Sequence, residues 1–66
     1  MGLTARDEQI LQLTAEGMTG KEVGASLDIS EQTVKNHLTH VREVLNAKTT
    51  AHAVYIKFCT GQVTTA

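Results

Sequence analysis

Apolar residues recur along this chain in four bursts, each at the spacing of a helix turned toward a core. In the first, Ile10, Leu11, Leu13 and Met18 follow an N-terminal anchor, Leu3. Thr4 stands where a helix N-cap belongs, with Asp7 three residues on in the capping-box position. Gly17 is the stop, because glycine accepts the left-handed conformation that ends a helix. The second burst is short. Thr19-Gly20-Lys21-Glu22 opens it as another capping box, and Val23 and Leu27 supply the apolar face. Gly24 lies beside them, and the spacing marks it for the close approach of another helix; the bland alternative is a weak point in the helix, costing up to ~1 kcal/mol relative to Ala. In the third, Val34, Leu38, Val41 and Leu45 form a stripe behind the cap Ser30, and Asn46 closes the helix. The fourth starts from Thr49 or Thr50 and runs to about Thr60, with Gly61 as its stop and residues 62–66 as a short frayed tail. The pattern predicts an all-α domain with helices over about 5–16, 20–27, 31–45 and 50–60.

Two of these helices carry more than a core stripe. On the third, Gln32, Lys35, Asn36, Thr39, His40 and Glu43 fall on the arc opposite the apolar one. Short polar and cationic side chains on a bare face suit the DNA major groove. Lysine donates to guanine or phosphate, asparagine pairs with adenine, and threonine meets a thymine methyl or a phosphate. A solvated helix face is the bland alternative. The preceding residues argue against it. Two helices are joined by the tight turn Asp28-Ile29-Ser30, with a small residue in the first and the apolar plug Ile29 in the turn. That combination reads as a helix-turn-helix. The fourth helix is apolar on two sides. Ala53 and Ile56 make one stripe, and Ala51, Val54, Tyr55 and Phe58 make another. A second stripe calls for a second buried contact, and a symmetric dimer packing this helix on its twin supplies one; the alternative is that both stripes pack within one small core.

Size sharpens the dimer expectation. Sixty-six residues make a single domain over 1–66, and a chain so short buries only roughly 60% of its unfolded surface. The lone Cys59 excludes an internal disulfide and suggests a reducing compartment. The absence of proline fits an all-helical chain. No signal segment or long apolar run is present, so a cytoplasmic protein is expected, nucleoid-associated if it binds DNA. One Tyr and one Phe are too few for a platform that stacks single-stranded bases. The net charge of −1 is low for a DNA binder, yet charge is unevenly spread: residues 32–49 carry Lys35, Arg42 and Lys48 against Glu43, a net +2. The acids gather at Asp7, Glu8, Glu16, Glu22, Asp28 and Glu31.

Other chemistry finds little support. His37, His40, His52 and Cys59 match no metal-ligand spacing. A Cys–His nucleophile lacks any oxyanion-forming loop, and no glycine loop is built to cradle a phosphate. Neither a cofactor nor an enzymatic activity is expected. His37 lies at the core flank of its helix, which suits a partly buried, hydrogen-bonded role, with phosphate or metal contact as the alternative, and Cys59 suits packing.

Leu3-Thr4 with Arg6, Lys21-Glu22 after a Gly-Met-Thr turn, and Ile29-Ser30-Glu31 followed by Thr33-Val34-Lys35 and His37 together resemble the LuxR-type (GerE/FixJ-like) DNA-binding domain of bacterial transcription regulators. The resemblance covers Leu3 to about Val63. It implies a four-helix domain with the third helix in the major groove, Lys35, Asn36 and Thr39 at base edges, and Lys21, Thr33 and His40 near phosphates. Arg42 is a further backbone anchor in this reading. The fourth helix is the usual dimer contact in that family, agreeing with the stripe Ala51, Val54, Tyr55 and Phe58. The chain departs from the pattern with Asp7 for Glu, Gly20 for Asn, Gly24 for Ala, Asn46-Ala47 for Gly-Val and Thr50 for Arg. Most such regulators carry an upstream signal-receiving domain; a stand-alone effector and a piece of a longer regulator both fit this sequence. The expected function is dimeric, sequence-specific recognition of duplex DNA, with activation through RNA polymerase or repression by occlusion. The rival is an interaction module that heterodimerises with a related regulator and titrates it from DNA.

Overall fold

The computed structural model describes residues 2–60, with backbone only at 59 and 60. Four helices follow one another: α1 (Ala5–Ala15), α2 (Gly20–Leu27), α3 (Glu31–Leu45) and α4 (Thr50–Val54), the last continuing as a π-helical segment, Tyr55–Thr60. The described residues are all-α.

Local chemistry sets these boundaries. The Thr4 hydroxyl accepts from the Asp7 amide at 3.0 Å while the Asp7 carboxylate accepts from the Thr4 amide at 3.1 Å, a complete capping box. Thr19 and Glu22 form the second one, at 3.2 and 2.8 Å. Ser30 accepts from the Thr33 amide, and Thr49 from that of His52. α1 stops at Ala15, with Glu16 as its C-cap and Gly17 at φ +99°. α2 and α3 end on Asp28 (φ 60°) and Asn46 (φ 55°). Both residue types tolerate the left-handed region better than most. The sequence predicts a left-handed Asn46, whereas Asp28 reads from sequence only as part of a turn.

Two small cores meet at α1 and α3. Ile10, Val23 and Val34 are fully buried where α1, α2 and α3 converge, with Leu13, Met18, Leu27 and Ile29 around them. Leu11, Val41 and Ala53 are fully buried where α1, α3 and α4 converge, with Leu3, Leu45, Val54 and Phe58 around them. Leu38 packs against both. Each of the fully buried Ile, Leu and Val side chains contributes roughly 1.5–3 kcal/mol, and the Ala53 methyl less. α2 is held against the turn at Gly24, where an added Cβ would stand 2.7 Å from the Ile29 carbonyl oxygen. The close approach expected at this position is there, but its partner is the turn that leads into α3 and not the side of another helix.

The fourth helix differs from its sequence reading. Its spacing predicts one α-helix to Thr60, but α-geometry ends at Val54. In the wider i→i+5 turn, residues four and five apart share a face. Ala53 and Phe58, five apart, both reach the second core together with Val54. Ile56, paired by helical spacing with Ala53, is half-buried and outside that cluster. The expected stop at Gly61 and tail at 62–66 lie outside the described residues.

Candidate nucleic-acid interface

α3 is fixed on its inner side by both cores, and its outer side is open. Gln32, Lys35, Asn36, Thr39, His40 and Glu43 are all exposed, while Val34 and Val41 are fully buried. Of the residues expected at base edges, Lys35 and Asn36 follow one another on this face, and Thr39 lies one turn beyond. Asn36 Oδ1 accepts from Gln32 Nε2 at 3.1 Å, which orients its amide. The Thr39 hydroxyl donates to the Lys35 carbonyl at 3.0 Å and accepts from Arg42 Nη2 at 3.3 Å.

The residues expected near phosphates divide into two settings and a third position. Thr33 and His40 join Thr4, Asp7, Asn36 and His37 around a shallow groove of about 370 Å³ between the start of α1 and the outer side of α3. Arg42 is half-buried and lies farther along α3; its Nη1 donates to Thr50 Oγ1 at 3.2 Å, so it also ties α3 to the start of α4. Lys21 is exposed in the first turn of α2 and does not line the groove.

A feature absent from the sequence reading organises the groove floor. Asp7 is 1% exposed and receives both histidines of α3. His37 Nδ1 lies 2.6 Å from Asp7 Oδ1, and His40 Nδ1 lies 2.7 Å from Asp7 Oδ2. Burial alone would push the Asp7 carboxyl up. Hydrogen bonds from His37, the Thr4 amide, His40 and the Thr4 hydroxyl outweigh it and bring the pKa from 3.8 to about 2. The capping residue of α1 is therefore also the anion that docks α3. His37 has the half-buried, hydrogen-bonded role expected of it. His40 was placed among the exposed groups, and its side chain is 47% exposed, but one of its ring nitrogens is committed to Asp7. Helical spacing places His37 and His40 on one face; no local signal links them to an acid thirty residues earlier.

The expected dimer stripe is divided by the fold. Val54 and Phe58 are partly buried against their own second core, whereas Ala51 is exposed and Tyr55 is 58% exposed. Among the described residues no group of three or more His, Cys, Asp or Glu side chains is placed to hold a metal ion, and no helix is long and apolar enough to cross a membrane.

Residues 1–56 match the family model described as bacterial regulatory proteins, luxR family. The chain is 46% identical over 54 residues to the transcriptional regulatory protein LiaR of Bacillus subtilis, an alignment covering 80% of this chain and 26% of LiaR. It is 36% identical over 61 residues to the transcriptional regulatory protein DegU of Brevibacillus brevis, covering 92% and 26%. It is 36% identical over 52 residues to the spore germination protein GerE of B. subtilis, covering 79% and 70%. The chain thus spans about a quarter of the length of LiaR and DegU, and most of GerE. That family is one of DNA-binding transcription regulators and not of enzymes. On the match over residues 1–56 and the four-helix fold that carries it, the chain belongs to the luxR family of bacterial regulatory proteins.

Proposed function

We propose that this chain reads double-stranded DNA in a sequence-specific way, as a dimer, within a transcription regulator. The observation that carries the reading is the outer side of α3. A fifteen-residue helix is pinned by two cores on one side and presents Lys35, Asn36 and Thr39 on the other. In this reading α3 enters the major groove, Lys35 and Asn36 discriminate bases at roughly 1–3 kcal/mol for each good contact, and Thr39 adds a methyl or phosphate contact. Lys21, Thr33, His40 and Arg42 meet the backbone and set the register. Two protomers joined through α4 and its π-helical continuation present two α3 helices to half-sites about 10 bp apart. Tyr55, 58% exposed, supports that contact. The similarity to proteins named transcriptional regulators supports the role, with RNA polymerase contact or occlusion as its two outlets.

The test is selection of bound duplexes from a random pool, run in parallel on the chain and on Lys35→Ala. The native chain should enrich a two-fold symmetric motif with half-sites a helical turn apart, and the variant should lose that preference while remaining folded. A Lys35→Ala protein that enriches the same motif as fully would remove α3 from the reading. Failure of the well-folded native chain to enrich anything would favour the module that pairs with a related regulator instead.

A further inference from the structure

We infer that the groove between α1 and α3 accepts a DNA backbone phosphate only by taking up protons, on His37 and His40, so that DNA binding tightens as pH falls. This rests on the DNA-binding reading and adds to it the chemistry of one contact.

The inference follows from which nitrogen each ring has committed. Both imidazoles meet the same carboxylate through Nδ1, one on each oxygen. An ionised carboxylate only accepts hydrogen bonds, so both Nδ1 atoms must carry hydrogen. A neutral ring with hydrogen on Nδ1 has a bare lone pair at Nε2. That lone pair cannot donate to a phosphate oxygen. It becomes an N–H only when the ring is protonated. The alternative tautomer, with hydrogen on Nε2, would set a lone pair against Asp7 at 2.6 or 2.7 Å. Asp7, held ionised down to about pH 2, therefore fixes both rings in the form that must gain a proton to grip an anion.

Charge points the same way. With both rings neutral the cluster bears the single negative charge of Asp7 and repels a phosphate. With one ring protonated it is neutral, and with both it carries one net positive charge. The surroundings do little to mask this change. The groove takes Asp7 from α1 with its N-cap Thr4, and Thr33, Asn36, His37 and His40 from α3, while α2 and α4 line none of it. Among the described residues Asp7 is the one carboxylate within 4 Å of a ring nitrogen of either histidine. Glu43 follows His40 by one turn of α3 and Arg6 precedes Asp7 on α1, both exposed and neither lining the groove. Threonine hydroxyls at 4 and 33 and the Asn36 amide complete a polar rim of a kind that holds a phosphate oxygen.

The sign is fixed by linkage. A complex that holds more protons than its free components gains affinity as pH falls, by up to about tenfold per pH unit for each proton taken up. The experiment is fluorescence anisotropy of a duplex enriched at pH 6, titrated from pH 8 to pH 6 at constant ionic strength. Proton uptake is measured alongside by calorimetry in two buffers of different ionisation enthalpy. The dissociation constant should fall by at least tenfold over this range, with net proton uptake on binding. His40→Asn and the double variant His37→Asn with His40→Asn place an amide nitrogen near the position of Nδ1, where it can still donate to Asp7, but neither asparagine titrates. The single variant should flatten the pH dependence, and the double variant should abolish most of it. His52→Asn, on α4 and away from the groove, should leave the slope unchanged. Circular dichroism melts at both pH values confirm that each variant is folded, and the calorimetry on the native chain decides the matter if the double variant is not. Binding that is equally tight at pH 6 and 8 without proton uptake, or a slope that survives in the folded double variant, would overturn the inference. No binding at either pH would overturn the DNA-binding reading itself.

Discussion

Asp7 performs two jobs that pull its protonation the same way. It closes the capping box of α1 through Thr4, and its two oxygens receive His37 and His40 from α3. Both jobs need the carboxylate, which is why its pKa lies near 2 despite burial. A carboxyl that is harder to protonate when folded than when unfolded contributes stability that is fully present above about pH 4. That stability is lost as pH falls through the folded value. With the ordinary value at 3.8 and the folded one at about 2, the contribution is about 2 kcal/mol at 1.36 kcal/mol per unit. The urea midpoint should accordingly drop between pH 4 and pH 2. Asp7→Asn should be less stable than the native chain at pH 6, because the amide turns a donor toward one of the two histidines. It should also lose most of the acid-induced drop. A variant whose stability tracks the native curve down to pH 2 would show that the acid sensitivity arises elsewhere.

Between residue and molecule, the elements are set by contacts of different range, and this decides what could be read from sequence. Three caps come from Thr4, Thr19 and Ser30, each bonding to an amide three residues on, so local pattern suffices to find them. The α2–α3 turn was legible for the same reason. Gly24 sits against the Ile29 carbonyl at a distance that leaves no room for a side chain. Alanine, usual at this place in the family the chain resembles, needs a small outward step of the turn. Valine has no such escape and should cost about 1–3 kcal/mol by overpacking, read as a lowered melting midpoint of Gly24→Val. An unchanged midpoint would mean that the turn yields freely. The end of the fourth helix was not legible, because its π-helical register satisfies a tertiary demand, seating Ala53, Val54 and Phe58 on one core. The link from Asp7 to two histidines across α1 and α3 was hidden for the same reason. The register also selects the better probe of the proposed dimer. Phe58→Asp would place a charge against the protomer's own core and could unfold it. Tyr55→Asp alters an exposed side chain. It should convert the dimer to monomer in sedimentation while moving the monomer's own stability by less than about 0.5 kcal/mol. A dimer that persists in Tyr55→Asp would place the protomer contact elsewhere.

At the scale of the whole molecule, a net charge of −1 must coexist with attraction to a polyanion. The arrangement favours a short-range solution over a long-range one. The sequence from 32 to 49 has a net +2, whereas acids lie mainly on α1, α2 and the turn between α2 and α3. Fields from the two sets partly cancel beyond a Debye length of about 8 Å at physiological salt, leaving weak steering and local contacts. Each neutralised phosphate makes the logarithm of affinity fall with the logarithm of salt by about 0.9. With few cations on the DNA-facing side the slope should be shallow for a DNA binder, and each lysine should be a visible fraction of it. Lys21 provides the cleanest case, being exposed at the start of α2 and away from the groove that His37 and His40 line. Lys21→Ala should reduce the slope by about 0.9 per protomer while leaving the enriched sequence unchanged. Lys35→Ala should change the enriched sequence as well. If Lys21→Ala alters the preferred motif and leaves the slope intact, the division between base-reading and backbone-gripping residues on this domain is reversed at that position. α2, instead of resting across the backbone, would then reach the base edges.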